Sequence, residues 1–200
     1  KMRLLSIHIY RWREENPILL GSVQELSFLG FIQRRVLKDL INFSSRTVCG
    51  RARPGDRTAV HLENNAGICY VAIHPSTFAV TAVADVEYPQ RVVFSMIAEL
   101  MQQFLQSGIQ WETIQKDTEV RFPPLAETLR TYQNPNEADK LMKIESELDQ
   151  VRDIMHKNID QLLKRGETLE SLMAKSNDLS TVSYDFYKRA KKNNQCCQLY

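Results

Sequence analysis

The sequence predicts an α+β protein: a five-stranded, mostly antiparallel sheet with covering helices, followed by one long coiled-coil helix. Three observations carry that expectation. Short alternating or continuously apolar segments, separated by tight turns, fill the chain up to residue 133. Two longer stretches among them follow helical spacing. From Leu141 to Asn193 the apolar positions recur in steps of three and four, a heptad period too long for an ordinary globular helix.

The elements follow in order. Leu5, Ile7 and Ile9 alternate with Ser6 and His8, which predicts a first strand. Asn16-Pro17 makes a turn, and Ile18 to Val23 completes a hairpin. Ser27 is placed to N-cap a helix that carries Phe28, Phe31, Ile32, Val36, Leu40, Ile41 and Val48, with Gly50 as its left-handed stop. Three strands are expected next, at Arg57 to Glu63, Ile68 to Ile73 and Phe78 to Ala84. The last two are nearly continuous in apolar character, as strands covered on both faces are. The turn-rich connections around Asn64-Asn65 and His74-Pro75 make hairpins. Pro89 opens a second helix whose stripe runs from Val92 to Leu105 and stops at Gly108. A short third helix covers Leu125 to Tyr132. Asn134-Pro135-Asn136 then breaks the chain, so the expected domains are residues 1–133, 134–194 and a tail at 195–200.

The heptad seam reads Leu141, Ile144, Leu148, Val151, Met155, Asn158, Leu162, Arg165, Leu169, Leu172, Ser176, Leu179, Ser183, Phe186, Ala190 and Asn193. Arg165 interrupts it near the middle. A guanidinium cannot shed its proton, so wherever the seam is buried it needs polar acceptors at that level. Such a site fixes register and partner choice.

Composition removes several functions. The net charge of +2 gives no bulk attraction to nucleic acid. No apolar run approaches the roughly 18 residues of a membrane span. The strand-like start lacks a secretory-signal core, so the expectation is a cytosolic chain with reduced thiols, Cys49 and Cys69 being core residues. Gly50 to Gly55 has the glycine spacing of a phosphate loop, but Asp56 and Arg57 stand where lysine and a hydroxyl residue belong. It also follows a helix rather than a strand, so no nucleotide is expected. The four histidines, His8, His61, His74 and His156, are scattered, and neither a metal-ligand spacing nor a catalytic motif is present. The expected set is therefore no catalytic residue, no metal and no resident cofactor.

The carboxyl end carries chemistry of another kind. Lys188, Arg189, Lys191 and Lys192 lead into the paired Cys196 and Cys197, followed by Gln198-Leu199-Tyr200. A cysteine at that position is the one modified in prenylation motifs, and its neighbour is placed for a second acyl chain. One chain gives reversible attachment, whereas two give a stable anchor. The expectation is a prenyl group on Cys197 and a palmitoyl or second lipid on Cys196.

These residues together resemble a known family. Leu162-Leu163-Lys164-Arg165-Gly166-Glu167-Thr168-Leu169 is similar to the centre of an R-SNARE motif, and the double-cysteine tail is similar to that of prenylated R-SNAREs of the Ykt type. The N-terminal element order and the Tyr132-Gln133-Asn134-Pro135 junction resemble the longin domain of those synaptobrevin-like proteins. The resemblance implies a longin (profilin-like) regulatory domain at 1–133 and an R-SNARE segment at 134–194. Arg165 is then the central-layer residue facing glutamines from three Q-SNARE helices, and the other seam residues form the packing layers. It implies fusion of transport vesicles on ER-Golgi, endosomal and vacuolar routes, at the cytoplasmic face of those membranes. It also implies a closed state in which the longin domain covers the SNARE segment and shields the lipid, with Phe43 at the contact. Two alternatives stay open: a lipid-anchored coiled-coil adaptor that does not fuse membranes, and a protein acyltransferase, for which no catalytic constellation is legible. The terminal Tyr200 leaves farnesyl and geranylgeranyl equally open.

Overall fold

The structure is a computed structural model that describes residues 2–63, 66–136, 138 and 154–192. Strands β1 (Leu4–Arg11) and β2 (Ile18–Gln24) form the expected hairpin. Helix α1 (Phe31–Arg51) crosses to β3 (Arg57–His61), β4 (Ile68–Ile73) and β5 (Phe78–Ala84), an antiparallel meander. Helix α2 (Gln90–Gln106), a 3-10 turn at Trp111–Thr113 and α3 (Pro124–Thr131) follow. β5 returns to pair antiparallel with β1, which makes both interior strands of the sheet.

Each strand lies close to where its pattern put it. β4 and β5 are buried along their whole length, because helices cover both faces. One face carries α2 and α3 over Ile7, Ile9, Tyr70, Phe78 and Val80. There Phe78, Phe104, Trp111 and Phe122 pack in tilted and edge-to-face contacts, with contacting ring centroids 5.1–5.4 Å apart. The other face carries α1 over Leu5, Tyr10, Val71 and Val83. Leu5 faces α1, away from Ile7 and Ile9, where the β1–β5 register shifts between Leu4 and Ser6.

Several expectations need correction. The sheet has six strands, not five, and is mixed. β6 (Met155–Asn158) comes from the heptad segment and pairs parallel with β3, from Thr58↔Met155 to His61↔Asn158. An open edge on β3 supplies unpaired backbone groups, and a nearby extended segment satisfies them. The one long helix is not formed over the described part of the seam. After β6 come a 3-10 turn (Ile159–Leu162), α4 (Leu169–Lys175) and α5 (Thr181–Lys192). A helix with a single apolar stripe gains little by standing alone, and here the chain buries two of its described seam positions and several of their neighbours against the domain. Ser27 does not cap α1; Gly30 does, without a side-chain bond. Gly50 is not a left-handed stop, because α1 runs past it to Arg51. A Cβ there would sit 3.0 Å from the Glu15 backbone, so the glycine permits that close approach. Gly108 does adopt the left-handed conformation, with φ +73°. The seam positions Leu141, Ile144, Leu148, Val151 and Asn193, and the cysteines Cys196 and Cys197, lie outside the described residues.

Candidate functional site

The site is the surface on which residues 154–192 fold back over α1 and the β3 edge. On α1, Asp39, Phe43 and Arg46 are spaced four and three residues apart, so they line one face. Each receives a different part of the returning segment.

At the polar end, Asp39 takes hydrogen bonds from the Ser180 amide (3.1 Å), the Ser180 hydroxyl (2.7 Å) and the Ser183 hydroxyl (2.7 Å). This fixes the start of α5 against α1. Ser183 is completely buried by the contact. In the middle, Phe43 shares one apolar cluster with Ile159, Leu169, Met173 and Tyr187, all within 7% exposure. Burying each such side chain contributes about 1.5–3 kcal/mol. A cavity of about 60 Å³ remains among them, with the half-exposed Phe186 at its border.

Arg46 ties three regions together. Its guanidinium donates to Asp178 at 2.6 Å, to Asp117 at 2.6 Å and to the Pro17 carbonyl at 2.6 Å. Burial opposes its charge, but the hydrogen bonds to Asp178 and Asp117 outweigh burial and hold it more firmly protonated. Further along, Arg51 donates to Glu167 at 3.0 Å, and Lys164 pairs with Glu15. At the far end the Tyr187 hydroxyl donates to Glu63, and Lys191 pairs with Glu170. Burial and the Glu63 carboxylate both push the Tyr187 hydroxyl's pKa up, so it stays a donor.

The seam residues are thus divided. Leu169 and Ser183 are buried; Met155, Leu162, Leu172, Ser176, Leu179 and Ala190 are half-buried. Asn158, Arg165 and Phe186 are exposed. Arg165 lies in a turn closed by Gly166 at φ +84°, and the capping box of Thr168 and Ser171 starts α4 just beyond. Asp39, Arg46 and Glu63 were not singled out from sequence. The available signal was an aspartate, a phenylalanine and an arginine repeating along one helix face.

The thiols of this region are not reactive. Burial pushes the Cys69 thiol up to about 12 and raises Cys49 as well, and both are free. No helix among the described residues is long and apolar enough to cross a membrane.

Comparison with known proteins adds a second line. The synaptobrevin family profile matches residues 140–198. The chain is 38% identical to "VAMP-like protein YKT61" of Arabidopsis thaliana, covering 99% of this chain and 100% of that protein. It is 35% identical to "Synaptobrevin homolog ykt6" of Schizosaccharomyces pombe and 35% identical to "Putative synaptobrevin homolog YKT6" of Dictyostelium discoideum. Each of these alignments covers 98% of both chains.

Proposed function

The chain belongs to the synaptobrevin family, among the Ykt6-type homologues, and we propose that it is a vesicle-fusion R-SNARE whose N-terminal domain holds the fusion segment in reserve. In this reading residues 1–133 are the regulatory longin domain, 134–194 the SNARE segment and 195–200 the lipidated tail. The SNARE segment joins three Q-SNARE helices, with Arg165 facing their glutamines at the central layer.

One observation carries the regulatory half: Leu169 and Ser183, both on the heptad seam, are buried against the domain that bears Phe43. A side chain cannot occupy two interfaces at once. Folding back and bundle assembly therefore exclude each other, and the balance between them is the control point. Arg165 supports the same division. Exposed in its turn, it bears no desolvation cost in the folded-back form. It acquires one only in a bundle, where glutamine carbonyls would offset it.

A prenyl group on Cys197, with a palmitoyl group on Cys196, would anchor the chain to the cytoplasmic face of Golgi, ER-derived and endosomal or vacuolar membranes. No other cofactor is needed, and the reading assigns no catalysis. Phe186 borders the small apolar cavity, so covering the lipid there requires α5 to move outward and enlarge it.

The test is assembly of the full, unlipidated chain with three glutamine-bearing SNARE helices, followed by mass measurement of the product. The expected product has one copy of each helix. Phe43→Glu should speed its formation roughly tenfold or more by abolishing the competing contact. Assembly at an unchanged rate removes the regulatory role, and a self-paired dimer in place of the mixed complex removes the fusion role.

A further inference from the structure

We propose that the β2–α1 loop and the first turns of α1 form a docking surface for anionic membranes, distinct from the cysteine tail and from the fold-back site. Phe31 and Ile32 share helical spacing with the buried Val36 and Ile41, yet they stand 82% and 66% exposed, with Phe28 at 37%. They extend an apolar tip at one end of the sheet. Met2 and Val86 are also exposed there, brought close where the Asp85 amide donates to the Arg3 carbonyl and the Arg3 amide to the Asp85 carboxylate.

The tip is held rigidly. Arg34 donates to the carbonyls of Leu26 (3.2 Å), Ser27 (3.2 Å) and Leu29 (3.0 Å), so one guanidinium fixes the whole loop. Leu26 and Leu29 are buried beneath it. A loop so fastened presents its aromatic side chain without an ordering cost on contact.

Charge identifies the occupant. Arg3 stacks over Phe28, its guanidinium carbon 3.9 Å from the ring centroid. Arg34, Arg35 and Lys38 follow in the first turns of α1 and are exposed. The first turn holds no acidic residue and Gly30 offers no side-chain cap, so the positive helix end is also uncompensated. Beside the tip lies a polar depression of about 350 Å³ whose walls include Ser22, Gln24, Arg34 and Lys38. Glu25 also borders it, half-buried, and the Ser27 amide and hydroxyl that donate to its carboxylate keep it ionised. Asp85 accepts from the Arg3 amide, and Asp39 is taken by Ser180 and Ser183. Glu87 is exposed next to Val86, which makes Val86 the margin of the patch. Among the exposed charges around the apolar point, Arg34, Arg35 and Lys38 outnumber Glu87, a balance that matches an acyl interior under negative headgroups. A second copy of the chain would set cations against cations.

Among the described residues nothing covers this surface while 154–192 are folded back. It therefore offers a second membrane signal before the SNARE segment opens, which a single lipid chain needs for lasting attachment.

The experiment uses the full chain without lipid or partner helices, floated with phosphatidylcholine vesicles with or without phosphatidylserine. Binding should require phosphatidylserine and weaken with salt. Phe31→Ser combined with Ile32→Ser should lower the partition coefficient roughly tenfold or more with the melting temperature unchanged. Lys188→Ala with Arg189→Ala should retain most of it. The indole introduced by Phe31→Trp should be quenched by brominated acyl chains. The proposal is overturned if the tip variant floats like the parent, if the α5 variant carries the loss, or if that indole stays unquenched. A tip-dependent dimer in solution overturns it as well. None of these outcomes bears on assembly with glutamine-bearing helices.

Discussion

Helix α2 and the segment from Met155 to Ala190 are both periodic, but only in α2 does the period agree with what is buried. In α2, Val92, Val93, Met96, Ile97, Leu100 and Phe104 of the expected stripe are each no more than 1% exposed, while Met101 is half-buried and Leu105, at its far edge, is exposed. In the segment, Asn158, Arg165 and Phe186 sit on the seam and are exposed. Ile159, Met173 and Tyr187 sit one residue beyond the seam, two heptads apart, and are buried. The longin face thus takes a stripe rotated by one position from the seam. Periodicity reports the partner a helix was shaped for. For α2 that partner is its own sheet. For the seam, in the proposed reading, it is a set of partner helices, and the domain buries Leu169 and Ser183 of the seam together with the neighbouring stripe.

The sharpest way to break the first region is Phe104→Ala. It removes the ring at the centre of the Phe78, Trp111 and Phe122 cluster and should cost about 3–5 kcal/mol of global stability, read from urea midpoints. Acid should act next in size. His8 is fully buried on β1 and its pKa is held down at about 4 against an ordinary 6.5, because burial outweighs the hydrogen bond to Asn42. Between those values the unfolded chain binds the extra proton, so stability is complete above pH 6.5 and falls as pH drops toward 4. The loss should reach about 3 kcal/mol, and His8→Gln should flatten the pH profile of the melting temperature over that window.

Met173→Ser with Tyr187→Ser sharpens the comparison directly. The pair should weaken fold-back by about 2–4 kcal/mol while leaving the seam intact. Amide exchange over 155–190 should accelerate, strands β1, β4 and β5 should keep their protection, and the assembled helix complex should melt where the parent does. A lowered melting point of that complex means these positions belong to the bundle core. The smallest effect is expected from Lys191→Ala, which loses the surface pair with Glu170. Less than about 1 kcal/mol should be lost, and added salt should erase the difference.

The five-strand order, α2 and the left-handed Gly108 were legible because short-range patterns there agree with the tertiary partner. Phe31 and Ile32 misled for the opposite reason. They satisfy helical spacing with Val36 and Ile41, but the sheet ends before reaching them. β6 was invisible because His156 and Lys157 carry no strand alternation; it forms to satisfy the open edge of β3. Phe43 was legible as a contact only through family resemblance, whereas Asp39 and Arg46 became recognisable once Ser180, Ser183 and Asp178 lay against them.

The chain alone determined the layered sheet, the heptad seam and its central cation, since each is a repeat in side-chain character along a few turns or strands. Only the tertiary structure decided which side of the seam is covered, where the segment breaks into a strand and two helices, and which apolar residues stay outside. Those choices turn on long-range geometry. A free sheet edge, a row of unlike side chains on α1 and an arginine clasping a loop come together only after the chain has folded.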